Sequence, residues 1–470
     1  MDKIQRENVL AGLTIESAAK ACGGEIVCDE KTFAAIRGRE VRGVVTDNRK
    51  IEKDFVFIPI VGSRADGHDF IPKALEDGAL FTLSERRLAD PRGPYVLVEK
   101  SEQALKDIAA YYRRQLTIPI VGVIGSVGKT GTKEMIASVL SQQYEVCKTE
   151  GNFNNEIGLP LTLLSIRSNH QAAVVEMGIS EFGEMHRLGE MAVPDIVVMT
   201  NIGQCHLAQL HDRDGVFRAK TEIFEHLAKD ATVILNTDDD KLAAVKEVPG
   251  AKVIGFGTKG QEIGADGIKV LGVDGLEAKI HVGAEEWAVS IPLPGEHNIY
   301  HALAATAVGL VLDVPMPKIV NGIEQTGTIA GRTHFIKLKD DITIIDDCYN
   351  ASPASVKAAL SLLSEADGTK IAVLGDMGEL GENEKALHRE VGEHLSGLPI
   401  DVLYTAGPLA KEIAAAVTES DSGCAVHSYD TRDAMTAALV CDIQPKSCVL
   451  VKASHFMEFP KVVETLEENL

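Results

Sequence analysis

Long apolar runs are missing from this chain. No stretch of about 18 apolar residues occurs, which excludes a membrane-crossing helix of ordinary length. Basic residues are also scarce: 47 Lys and Arg stand against 69 Asp and Glu, for a formal charge of −22. That balance argues against a nucleic-acid-binding face, which needs a basic surface. A local cluster of Lys and Arg can still serve an anionic substrate. The opening MDKIQRENVL has no apolar signal core, so a cytoplasmic location is expected. The eight cysteines, at 22, 28, 147, 205, 348, 424, 441 and 448, form no C-x-x-C pair. A thiol zinc site is therefore not expected, and the spacing fits reduced cytosolic thiols. Internal repeats and low-complexity tracts are absent too.

What is present is ordinary globular composition, 45% hydrophobic and 25% charged over 470 residues, enough for about two to four domains. Four short Val- and Ile-rich runs, 118–125, 172–178, 195–200 and 232–236, alternate with helical patterns and predict buried parallel strands. A second set, 342–347, 370–376, 401–407 and 447–453, predicts another α/β unit. Residues 41–50 and 54–62 are strand candidates in a more mixed N-terminal region. Breaks near 113–119 and 327–335 divide the chain into three α/β domains, 1–115, 116–328 and 329–470.

The strongest local signal is Gly125-Ser126-Val127-Gly128-Lys129-Thr130. It follows a predicted strand and opens a helical pattern. Phosphates require backbone N–H groups converging at a helix N-terminus, and glycines let the backbone come close. Lys129 would neutralise phosphate, and the Thr130 hydroxyl would bind Mg²⁺. The strict spacing would put glycine at 123, where Val123 stands, so the loop is a variant. Gly131 is unexpected, since glycine early in a helix costs about 1 kcal/mol relative to alanine.

This shortened loop resembles that of the Mur ligases and their relative folylpolyglutamate synthetase. Further segments follow in the family's order across nearly the whole chain: NFNN (152–155), VVEMG (174–178), TNIGQCHL (200–207), AKTEIF (219–224), GEHN (295–298), AGR (330–332), DDCYNASPAS (346–355), VLGDMGELG (373–381) and VLVKASHFM (449–457). The resemblance implies a central P-loop ATPase domain on a parallel sheet, between an N-terminal UDP-substrate domain and a C-terminal Rossmann-like domain. It implies an ATP-dependent, ADP-forming amide ligase of peptidoglycan precursor synthesis. NFNN and DD-x-YNA resemble the branch joining D-alanyl-D-alanine to UDP-N-acetylmuramoyl-tripeptide.

Site roles follow from the same resemblance. Glu176 and His206 would hold Mg²⁺ with Thr130. Lys220 would be carbamylated, a carboxylate surrogate beside the metal. Asn298 would contact adenine, and Arg332 with Asp346 or Asp347 would reach ribose and phosphate. Thr46, Asp47, Asn48 and Arg49 would hold the UDP moiety. Asn154, Asn155, Tyr349, Asn350 and Lys452 would face the substrates. Taken alone, Glu176 is also a strand-end carboxylate, His206 a structural histidine and Lys220 an exposed helix lysine. The chain departs from the family at Asn48, Gly131 and Ser352, and KASH (452–455) replaces KGSR. A related ligase adding an amino acid to a different carboxylate is the alternative, and a nucleotide-binding protein without ligase chemistry a third reading. A monomer is expected, for want of an apolar interface.

Overall fold

A computed structural model describes residues 9–62, 65–259, 261–327 and 331–470. The expected boundary between 328 and 329, the first eight residues and Ala330 of the AGR segment lie outside them. The described residues build three sheets. The first has five strands in the order Glu25–Val27, Tyr95–Leu97, Phe81–Ser84, Phe55–Phe57, Gly43–Val45, parallel except for the first pair. The third has six, ordered His334–Lys337, Thr343–Asp346, Ser447–Lys452, Thr369–Gly375, Val402–Ala406, Ala425–Tyr429, again with one antiparallel edge.

The central sheet has nine strands. Ile120–Ile124, Ala172–Glu176, Ile196–Met199 and Ala231–Asn236 fall on the four expected runs and pair in parallel. Their fully buried residues explain why they read as continuous apolar stretches rather than alternating ones. Ile120–Ile124 lies between Ala172–Glu176 and Ile196–Met199. Strand order reverses around it, and such reversals place ligands beyond the C-terminal strand ends. The sequence reading did not anticipate the strands Leu276–Val282 and Glu285–Ile291, which extend the sheet antiparallel. Their alternating burial is the pattern of a sheet with one wet face.

The helix Ser101–Arg113 joins the first two sheets. Tyr112 donates its hydroxyl proton to the Ile166 carbonyl at 2.8 Å. Arg113 reaches the carbonyls of Ala192 and Val193 and pairs with Asp195 at 2.9 Å. One apolar cluster runs without a break from Leu10 and Phe81 to Met199 and Val233. The C-terminal sheet has separate clusters on its two faces, so it meets the rest chiefly through the cleft described next. No described helix is long and apolar enough to cross a membrane.

Candidate functional site

A cleft of about 750 Å³ opens between the central and C-terminal sheets, a size usual for small-molecule sites. Its floor is the loop after Ile120–Ile124. Gly128 has φ +79° and caps the helix Lys129–Leu140, a left-handed conformation that suits glycine. A Cβ on Gly125 would land 1.9 Å from Thr200 Oγ1. Asn201 straps the loop from both sides, accepting from the Val127 N–H and donating to the Val127 carbonyl, each at 3.0 Å. The loop is thus held open by the neighbouring strand's end. Lys129 Nζ folds back on the Gly125 and Ser126 carbonyls at 2.9 and 3.3 Å.

Behind the loop, Thr130 donates to Glu176 Oε2 at 2.7 Å, and Asn154 Nδ2 donates to Glu176 Oε1 at 2.8 Å. Glu176 is buried and receives these bonds at the end of its strand. The hydroxyl and carboxylate form a hard-oxygen pair suited to a small divalent cation. Asn155 turns away from this pair and accepts the N–H groups of Ile157 and Gly158 at the start of a helix.

Lys220 lies on the helix Arg213–Thr221, which tightens to a 3₁₀ turn at Glu222–Glu225 instead of continuing as the periodicity suggests. The lysine is 1% exposed, so the exposed-helix reading is overturned. No hydrogen bond or ion pair holds its Nζ among the described residues. Burial pushes its pKa down to about 8, with Cys205 opposing the shift and Lys129 adding to it. His206 sits at φ +51°, and its Nδ1 lies 2.5 Å from Glu379 Oε2 on the C-terminal side. Glu379 itself has φ +62°. Two non-glycine residues in this region cost about 1–2 kcal/mol each. The His206 contact holds the Glu379 carboxyl below its usual range.

Across the cleft, the Arg332 guanidinium stacks 4.0 Å over the Tyr349 ring. Asp347 accepts from Lys452 Nζ at 2.6 Å and from the Thr333 N–H at 3.1 Å. Lys452 also donates to the Asn350 carbonyl at 2.9 Å. Asp346 is spent on the chain itself, accepting from the Gly331 and Cys348 N–H groups. Of the two candidates, Asp347 alone lines the cleft. The helix N-cap nearby is Ser352, not either aspartate.

Asn298 lines the cleft, but its amide is engaged internally: Nδ2 donates to the Pro294 carbonyl at 2.8 Å and Oδ1 meets His301 Nδ1 at 2.9 Å. That leaves Oδ1 the acceptor and fixes His301 with Nε2 unprotonated. Burial pushes the His301 pKa down to about 3. Its ring explains Gly131, because a Cβ there would lie 2.5 Å from His301 Cε1. Sequence reading gave no role to His301, Glu379 or Asp238, whose carboxylate takes Tyr300 and Thr258 at the cleft edge. Glu379 stands within VLGDMGELG and His301 three residues after GEHN, but neither string says which of its side chains reaches the cleft, and Asp238 lies outside every family segment.

Thr46, Asp47, Asn48 and Arg49 are not brought to this cleft. They form a turn on the N-terminal sheet, where Asp47 caps the 3₁₀ turn Asn48–Lys50 and pairs with Arg49 at 2.7 Å. Arg49 pulls the Asp47 pKa down to about 2. The neighbouring Lys50 ammonium lies 5.9 Å from the Phe153 ring of the NFNN segment, so this turn borders the central domain.

A P-loop cleft closed by a C-terminal α/β sheet, with a buried lysine behind it, agrees with comparisons to known proteins. The Mur ligase middle domain matches residues 123–309, the glutamate ligase domain of Mur ligases residues 331–455, and the Mur ligase family catalytic domain residues 40–113. The chain belongs to the Mur ligase family. Within it, the chain is 37% identical over 435 residues to the UDP-N-acetylmuramoyl-tripeptide–D-alanyl-D-alanine ligase of Bacillus subtilis, covering 91% of this chain and 94% of that one. A MurF crystal structure from Acinetobacter baumannii superposes with a TM-score of 0.87 at 32% identity, covering 97% and 98% of the two chains. MurF from Thermotoga maritima in complex with ADP gives 0.79 at 30% identity, covering 91% and 98%.

Proposed function

We propose that this chain is a MurF-type ligase, joining D-alanyl-D-alanine to UDP-N-acetylmuramoyl-tripeptide with conversion of ATP to ADP and phosphate. The relatives' names support the reaction, and the cleft supports the chemistry. The observation that carries the reading is the juxtaposition, around one cavity, of the phosphate loop and Glu176 with Arg332, Asp347 and Lys452 of another sheet.

A carboxylate oxygen is a poor leaving group, so it must be activated first. The tripeptide carboxylate attacks the γ-phosphorus, the β–γ bridging oxygen leaves on ADP, and an acyl phosphate results. The dipeptide amine then attacks the acyl carbon, loses a proton, and the tetrahedral intermediate expels phosphate. The loop N–H groups and Lys129 bind the nucleotide phosphates, Lys129 exchanging its loop carbonyls for them. Arg332 and Asp347 bring the C-terminal sheet onto the nucleotide, and closure keeps water from the acyl phosphate. Thr130, Glu176 and His206 would hold Mg²⁺, which supplies charge neutralisation between the two anions. Lys220, with a lowered pKa, keeps more free amine near neutral pH than an ordinary lysine. That amine adds to CO₂ and loses one proton, giving a carbamate in place of an ammonium.

The turn Thr46–Arg49 holds the UDP moiety, and Asn154, Asn155, Tyr349, Asn350 and Lys452 line the path of the substrates. The division into 1–115, 116–328 and 329–470, a monomeric state and a cytoplasmic site of action belong to the same reading. The test is phosphate release by the purified protein with ATP, Mg²⁺ and UDP-N-acetylmuramoyl-tripeptide, with and without D-alanyl-D-alanine. Release requiring both substrates, with a product heavier by one dipeptide, is expected. Turnover with glutamate or another free amino acid instead would overturn the MurF reading and leave the ligase chemistry standing.

A further inference from the structure

We propose that His186, Glu225 and His226 form a second metal site, away from the nucleotide cleft, for a divalent ion of borderline softness such as Zn²⁺. His186 stands on the helix Glu184–Ala192, Glu225 ends the 3₁₀ turn Glu222–Glu225, and His226 follows it. His226 Nε2 lies 2.8 Å from His186 Nδ1, and His186 Nδ1 lies 3.4 Å from Glu225 Oε2. One donor atom from each residue falls within 4.8 Å of the others. Two imidazoles and a carboxylate are the ligand set of open tetrahedral zinc sites, and a pair of imidazoles suits zinc better than Mg²⁺ or Ca²⁺, which favour oxygen-rich sets.

The backbones carrying these ligands are fixed without any ion. The Glu222 carboxylate accepts from the Gly183 N–H at 3.0 and 3.1 Å and from the His186 N–H at 3.2 Å, tying the turn to the helix start. Gly189 lets the segments approach closely, since a Cβ there would lie 3.0 Å from His226 Cβ. Metal binding therefore asks only for side-chain adjustment. Ligand nitrogens about 2.0–2.1 Å from a tetrahedral zinc stand about 3.3 Å apart. The two rings must open by about half an ångström, which the exposure of His186 permits. An ion here would clamp the helix to the turn that follows Lys220 directly.

The test uses the full chain with Mg²⁺ and ADP in excess, so that the cleft is occupied. Zn²⁺ equivalents are counted by equilibrium dialysis, and Co²⁺ is followed by its visible absorption, for wild type, His186→Ala, His226→Ala, Glu225→Gln and His206→Ala. One equivalent with a tetrahedral Co²⁺ spectrum is expected in wild type and His206→Ala, weakened about tenfold or more in both His186→Ala and His226→Ala. His186 is largely exposed, so its variant carries the test even if His226→Ala folds poorly. Equal stoichiometry and affinity in wild type and His186→Ala would reduce the cluster to a His–His hydrogen bond. Loss of the ion in His206→Ala alone would assign it to the nucleotide cleft; either result overturns the proposal.

Discussion

Two lysines in this protein are buried to nearly the same degree and meet opposite conditions. Lys452 is 3% exposed and Lys220 1%. Lys452 is fully supplied: Asp347 pairs with it at 2.6 Å and two backbone carbonyls accept its remaining protons. Among the described residues neither a carboxylate nor a carbonyl bonds Lys220, and its pKa falls to about 8. Burial alone therefore does not say what a lysine is for. A compensated ammonium is a structural cation, in place to hold Asp347 and the Asn350 turn at the cleft wall. An uncompensated one carries a standing free-energy cost, which the fold retains behind the cleft wall, near Cys205 and Lys129, in a region where perturbed groups concentrate.

The comparison breaks most visibly in catalysis. Lys220→Ala is expected to lower kcat by about 10²–10³-fold, the loss typical when a preorganised charged group near developing charge is removed. ADP affinity should change little, because the loop itself is untouched. Partial rescue by added short carboxylic acids would mark the missing group as a carboxylate; unchanged activity would make Lys220 a packing residue. Mass spectrometry of the native protein in bicarbonate, searching for one added CO₂ at Lys220, reads the same point directly.

Stability should separate the two lysines by sign. A lysine whose folded pKa is lowered from 10.5 to about 8 penalises the folded state by about 3 kcal/mol at 1.36 kcal/mol per unit. The penalty is complete below pH 8. Between pH 8 and 10.5 the unfolded chain binds a proton that the folded one does not, so stability rises with pH across that window. In CO₂-free buffer at pH 7, Lys220→Met should therefore raise the unfolding free energy by up to about 3 kcal/mol. Lys452→Met should lower it by about 3 kcal/mol, because it strands Asp347 in a buried pair. Denaturant titrations of both variants at pH 7 and pH 10 check the signs; a destabilised Lys220→Met would sink the contrast.

A smaller effect is expected at Glu379, where the C-terminal sheet reaches His206. A carboxylate on one imidazole nitrogen orients the ring and fixes the other nitrogen as the ligand, and removing such partners typically costs 10–100-fold. Glu379→Gln should reduce kcat by about tenfold and weaken the Mg²⁺ dependence, with little change in the apparent affinity for UDP-N-acetylmuramoyl-tripeptide. An equal loss in all three parameters would mean that Glu379 holds the fold rather than His206.

These residues were not equally legible in the sequence. The phosphate loop was readable because its chemistry is local: strand, glycines, Lys129 and Thr130 are consecutive, and the backbone makes the site. The parallel strands were readable because burial on both faces leaves an unbroken apolar run. Glu379 was not, because its role exists only once two sheets meet, and no spacing links it to His206. Asp346 and Asp347 were inseparable until the backbone showed which one turns inward. Lys220 shows the limit most clearly: helical periodicity describes an amphipathic surface, whereas a lysine on the inner face is fixed by what packs against it.

Gly131 offers the mildest test, and it concerns the same cleft floor. Alanine in its place should gain about 1 kcal/mol of helix propensity. It should lose more to crowding, since overpacking a filled site costs about 1–3 kcal/mol. The His301 ring cannot simply retreat, being held through Nδ1 by Asn298 and buried on the helix Asn298–Val311 that carries both residues. Gly131→Ala should therefore cost about 1 kcal/mol net and weaken ADP binding severalfold. In the double variant with His301→Ala the crowding disappears while the propensity gain remains, so the two changes should be less harmful together than their sum. A double-mutant cycle in unfolding free energy checks this. A coupling near zero would mean that the glycine serves the phosphate rather than the histidine, and that His301 is free to move when nucleotide binds.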